Sequence, residues 1–90
     1  MKIKEGFVLR KFAGKWLAVA SDDLADKHNI LITLNKTGVF VWNLLQSDTD
    51  YDTVINKITE HYNIDEKTAK TDFDNFLEKT RKAGIIDEQT

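Results

Sequence analysis

Two short apolar runs near the N-terminus read as strands. Gly6–Phe12 holds the strong strand formers Phe7, Val8 and Leu9, and Lys15–Ala20 holds Trp16, Leu17 and Val19. Ala13-Gly14 between them is a turn signal, so the two runs predict a hairpin. Ser21-Asp22-Asp23 breaks the pattern, and residues 21–29 read as a polar loop with Leu24 and Ala25 as its only apolar members. A third strand follows over Ile30–Leu34. If Ile30, Ile32 and Leu34 face the core, then Leu31 and Thr33 face outward. A single outward leucine is ordinary on a protein surface, and it is equally an apolar spot that a partner can cover.

Beyond residue 34 the apolar period lengthens from two to between three and four. Asn35 is a helix cap, followed by Val39, Phe40, Trp42, Leu44 and Leu45 at helical spacing to about Gln46. Thr49 or Asp50 starts a second helix, in which Val54, Ile55, Ile58 and Tyr62 recur on one face and which Asn63 stops. Asp65 caps a third helix. Its inward stripe is Ala69, Phe73, Phe76, Leu77 and Thr80, and Lys79, Arg81 and Lys82 crowd its last turn, where the helix dipole favours cations. Gly84 suits the left-handed residue just past the end, and Ile85-Ile86 returns to the core. The order strand, strand, strand, helix, helix, helix predicts an α+β fold with a three-stranded antiparallel sheet. It forms one domain over residues 1–90, with an ordered core of about 5–86 and a loose tail from Asp87.

Composition narrows the function classes. Hydrophobic residues at 41% and charged residues at 31% give a globular rather than a disordered balance. There is no cysteine, which excludes disulfides, thiolate metal sites and cysteine nucleophiles and fits a reducing cytoplasm. No apolar run approaches the roughly 20 residues that a membrane span needs, and Lys2, Lys4 and Arg10 interrupt the N-terminus, so no signal peptide is read. The net charge is −2, but Lys2, Lys4, Arg10, Lys11 and Lys15 stand against Glu5 alone in the first sixteen residues. A basic hairpin thus precedes an acidic remainder.

Residues for chemistry are absent from the pattern. His28 and His61 lie in different segments without a second ligand at metal spacing. Ser21 and Ser47 read as turn and cap residues, Asp22-Asp23 and Asp48-Asp50 lack the rest of a calcium loop, and the four glycines form no phosphate loop. The expectation is a protein without enzymatic activity, cofactor or metal.

The stretch Leu34-Asn35-Lys36-Thr37-Gly38-Val39-Phe40-Val41-Trp42-Asn43-Leu44-Leu45 resembles the signature of the PqqD-like family, in which LN-x-TG-x-x-(I/V)-W-x-L-L occurs here. An apolar helix face, the segment Asp72-Phe73-Asp74-Asn75-Phe76-Leu77 and the ending Gly84-Ile85-Ile86 extend the likeness over about residues 5–86. The resemblance implies a winged helix-turn-helix fold and the role of a RiPP recognition element. Such a domain holds the leader of a ribosomally made precursor peptide for a separate modifying enzyme, often a radical SAM protein. It further implies that the leader adds to the third strand, in the groove beside the third helix.

Residues expected at that groove are Ile30, Leu31, Ile32 and Thr33 on the strand, and Lys70, Phe73, Asp74, Leu77 and Arg81 on the helix. Lys70 and Arg81 offer cations to acidic leader residues. Val39, Trp42, Leu44 and Leu45 are expected in the core, and Gly38 at a close helix approach. The same open edge can also pair two copies into a homodimer. The rival reading, a winged-helix DNA-binding regulator, needs a basic recognition surface. The third helix balances Lys67, Lys70, Lys79, Arg81 and Lys82 with Asp65, Glu66, Asp72, Asp74 and Glu78, and the second sets Lys57 against Asp50, Asp52 and Glu60. Neither helix suits a polyanion.

Overall fold

The computed structural model describes residues 1–21 and 31–88. Within them the chain runs β1 (Lys2–Ile3), β2 (Phe7–Phe12), β3 (Lys15–Ala20), β4 (Leu31–Leu34), α1 (Lys36–Leu44), α2 (Tyr51–Tyr62), α3 (Glu66–Ala83) and β5 (Ile86–Asp87). Strands β2, β3 and β4 form an antiparallel sheet in that order. The predicted third strand is β4, four residues long. Ile30 and the polar loop over residues 22–29 lie outside the described residues.

Local chemistry explains the element ends. Ala13 and Gly14 both adopt positive φ, 51° and 79°, so the hairpin uses the tight turn whose twist matches its strands. Asn35, Asp50 and Asp65 each cap a helix by accepting from the backbone N–H three residues on, at 2.8, 2.7 and 2.8 Å. Asn63 and Gly84 close α2 and α3 in the left-handed conformation.

The sheet register fixes its two faces. Phe7 pairs with Ala20, Leu9 with Ala18, Ala18 with Ile32 and Trp16 with Leu34, which places these side chains together on the helix side. Phe7, Ala18 and Leu34 are buried, and Leu9, Ala20 and Ile32 pack against the core. Thr33 is exposed, as the alternation requires. The helices supply Val41, Trp42, Leu45, Val54, Ile55, Ile58, Ala69, Phe73, Phe76 and Leu77 to the same core. Val41 is fully buried there, whereas Val39 and Leu44, expected inside, are half-buried at its margin.

Two features depart from the sequence expectation. The core begins before residue 5, because Ile3 is buried and β1 pairs antiparallel with β5, Lys2 opposite Asp87 and Ile3 opposite Ile86. Ile3 also donates its N–H to the Leu45 carbonyl at 2.8 Å, and Lys4 donates to that of Ile85 at 2.8 Å. The tail is correspondingly tied down: Asp87 belongs to β5, and Glu88 accepts two hydrogen bonds from Arg81.

Candidate functional site

Strands β2 and β4 are the two edges of the sheet, and β4 is the one that leads into α1. Among the described residues β4 pairs only with β3, so its outer backbone groups have no strand beside them. Alternate residues of such a strand direct N–H and C=O outward, a template for another extended chain. The C-terminal end of β4 runs into a small cleft of about 30 Å³ lined by Leu34, Asn35, Gly38, Asp72, Asn75, Phe76 and Lys79. One wall comes from the junction of β4 and α1 and the other from α3. Gly38 permits this closeness: a Cβ there would stand 3.2 Å from the Leu34 Cβ and 3.3 Å from the Asn35 Oδ1.

The side of α3 that reaches this cleft carries Asp72, Asn75 and Lys79, with Phe76 at its buried edge. None of the three polar side chains forms a hydrogen bond or ion pair with another described residue. The flank singled out from sequence, Lys70, Asp74, Leu77 and Arg81, occupies the other side of the buried stripe and does not line the cleft. Lys70 Nζ lies 3.1 Å from Glu66 Oε1 one turn earlier. Asp74 accepts a 2.9 Å hydrogen bond from the Tyr51 hydroxyl of α2. Arg81 holds Glu88 with two bonds, Nε to Oε2 at 2.8 Å and Nη2 to Oε1 at 2.6 Å. Leu77 is buried, not at a flank, and Phe73 is fully enclosed, stacked with Phe76 at 6.2 Å between ring centroids. Both are core residues, with no surface to offer a ligand.

The electrostatics agree with this division. Burial, with the Asp74 hydrogen bond second, raises the Tyr51 pKa. The guanidinium bonds hold the Glu88 carboxyl below its ordinary value and raise Arg81. These groups are already committed to one another. Of the strand residues expected at the site, Thr33 is exposed, Ile32 is half-buried on the core side, and Leu31 opens β4 opposite Val19. Asn35, Gly38, Asp72, Asn75, Phe76 and Lys79 line the cleft and were not singled out for it from the sequence. Their signal was partly present, since Asn35 and Gly38 sit inside the signature motif, but the pattern alone does not fix which helix flank turns toward β4. Among the described residues there is no cluster of three or more His, Asp or Glu able to hold a metal ion, and no helix is long and apolar enough to cross a membrane.

A three-stranded sheet with a free edge beside a three-helix bundle, hairpin first, defines the winged helix-turn-helix class of small domain. Comparison with known proteins makes this specific. The family model described as coenzyme PQQ synthesis protein D (PqqD) matches residues 22–86, and the chain belongs to that family. No curated protein matches the chain. Among solved structures it is similar to TbiB1 in complex with the TbiA(beta) leader peptide, with a TM-score of 0.73 and 18% identity, covering 100% of this chain and 99% of that one. At that identity the likeness establishes the fold.

Proposed function

We propose that this chain is a non-catalytic RiPP recognition element: it binds the leader of a ribosomal precursor peptide and presents the rest to a separate modifying enzyme. The observation that carries the reading is the β4 edge, unpaired among the described residues, running into a cleft walled by α3. Membership of the PqqD family and the leader bound to TbiB1 support it. In this reading the leader adds as a strand along Leu31–Leu34. Thr33, Asn35, Asp72, Asn75, the rim of Phe76 and Lys79 meet its side chains. A radical SAM protein is the expected class of enzyme, and the cytoplasm the expected compartment.

Magnitudes say what each part contributes. Four edge residues supply a few backbone hydrogen bonds, each worth about 0.5–1.5 kcal/mol net. A micromolar complex needs about 8 kcal/mol. Backbone pairing therefore fixes direction and register, and side-chain burial against α3 supplies much of the affinity and the selectivity. The test is titration of the labelled protein with a synthetic leader from a precursor gene beside its own. Micromolar or tighter saturable binding is expected, with slowed amide exchange at the β4 edge. Saturable binding to duplex DNA without leader binding, or self-association through β4 that excludes the leader, would overturn the proposal.

A further inference from the structure

A second cavity of about 360 Å³ opens between the hairpin and the helices, lined by Trp16, Lys36, Val39, Phe40, His61 and Tyr62. Three of its rings form one packed unit. His61 stacks on Phe40 with centroids 4.3 Å apart and planes 16° from parallel. Tyr62 stands edge-on to both, at 5.6 Å from Phe40 and 4.6 Å from His61. The Tyr62 hydroxyl donates to the Lys36 carbonyl at 3.3 Å, pinning the end of α2 to the start of α1. The cavity is therefore a built feature and not a chance gap between loose side chains. Trp16 remains 37% exposed at its mouth and, with Phe12, is one of the two large apolar residues left open to solvent among the described residues.

The rim is basic. Lys36 is part of the lining, and the Lys11 ammonium sits 5.8 Å from the Trp16 ring centroid. No carboxylate is among the lining residues. An apolar floor inside a cationic rim is complementary to an acidic surface that presents one large apolar side chain. Single-stranded nucleic acid fits less well, because base stacking needs open ring faces. Here Phe40 and His61 face each other, and Lys11 lies over Trp16.

We propose that this cavity docks an acidic segment of a second protein, inserting one aromatic or large aliphatic side chain between Trp16 and the Phe40–His61–Tyr62 unit. The site is separate from the β4 cleft yet adjoins it. Trp16 is the register partner of Leu34, which lines that cleft. The first turn of α1 divides the two, with Gly38 on the cleft side and Lys36, Val39 and Phe40 on the cavity side. Both can be occupied at once, so a peptide in the cleft and a protein in the cavity would be held on one small platform, where tethering raises their effective concentration.

The test uses the labelled full chain and synthetic peptides of alternating Asp and Glu with a single central Phe. Shifts are expected at the Trp16 indole N–H, Val39 and His61. Replacing the central Phe by Ala, or the acids by Lys, should weaken binding about tenfold or more. Trp16→Ser and Lys36→Glu, both at exposed positions, should each weaken it about tenfold while the amide signals of Ile32–Leu34 and leader binding stay unchanged. The proposal fails if millimolar acidic peptide moves no signal around the cavity, if it moves only signals of the β4 cleft, or if oligothymidylate binds the cavity more tightly than the peptide.

Discussion

The two flanks of α3 carry similar side chains and have different fates. On one flank the three polar groups that the sequence singled out each have a partner within the chain: Lys70 with Glu66, Asp74 with Tyr51, Arg81 with Glu88. On the other, Asp72, Asn75 and Lys79 face the small cleft at the end of β4 and make no such bond to described residues. Between them runs the buried stripe of Ala69, Phe73, Phe76, Leu77 and Thr80. Counting charges along the helix treats the flanks as equals. A charge already satisfied inside the fold has little left to offer a ligand, so the quiet flank is structural and the unengaged one is available for recognition.

Breaking the stripe should have the largest effect. Phe73→Ala empties a fully enclosed site and should cost about 3–5 kcal/mol, enough to unfold much of so small a domain, as thermal denaturation would report. Gly38→Val comes next. The added methyls must push Leu34 away from α1, which should cost about 1–3 kcal/mol and widen the cleft, so stability and leader affinity should fall together. The flanks themselves are separated by charge. Lys79→Glu should change leader affinity about tenfold with a stability change within about 0.5 kcal/mol, measured by calorimetric titration and melting. Arg81→Ala should leave leader affinity alone and cost at most about 1 kcal/mol of stability, since its pair with Glu88 is half exposed. Equal losses of affinity in those two variants would erase the distinction.

The smallest expected effect is on acid stability. Glu88, Asp50 and Asp65 all have pKa values lowered from ordinary values of 4.5, 3.8 and 3.8, by the Arg81 hydrogen bonds and by the cap hydrogen bonds from Thr53 and Thr68. Carboxyls with lowered folded-state pKa bind fewer protons in the native state. Their stabilisation is thus complete above the ordinary values and is lost as pH falls through the lowered ones. Glu88→Gln should lower the neutral plateau of the melting temperature slightly and flatten its fall in that acidic range by the same amount.

What sequence made legible follows from the range of each signal. The caps Asn35, Asp50 and Asp65 and the stops Asn63 and Gly84 act within one helical turn, and all five fall where local chemistry puts them. The register of the sheet follows from apolar alternation over adjacent strands, and the inward position of Leu34 and outward position of Thr33 were readable from it. The β1–β5 pair was not, because two-residue strands at opposite ends of the chain leave no periodic trace. The flank of α3 was not, because Asp72, Asn75 and Lys79 and Lys70, Asp74 and Arg81 are near mirror images about the apolar stripe. Only the side on which β4 and α1 pack decides between them. His61 stood out in the sequence only as a histidine without a second ligand at metal spacing. It is exposed, but its stacking on Phe40 depends on α1 and α2 meeting, which no short-range pattern encodes.

The pairing of Lys2 with Asp87 brings the first and last strands of the chain side by side. Closing so long a loop carries the highest ordering cost of any contact in the fold, which makes this seam a late event in folding. A circularly permuted chain, with its original ends joined by a short glycine-serine linker and new ends cut at Ala13-Gly14, would turn that late seam into a local hairpin. Such a permutant would in exchange make the six-pair β2–β3 hairpin the most distant pairing of the chain, against two pairs in the old seam, and should fold more slowly than its parent.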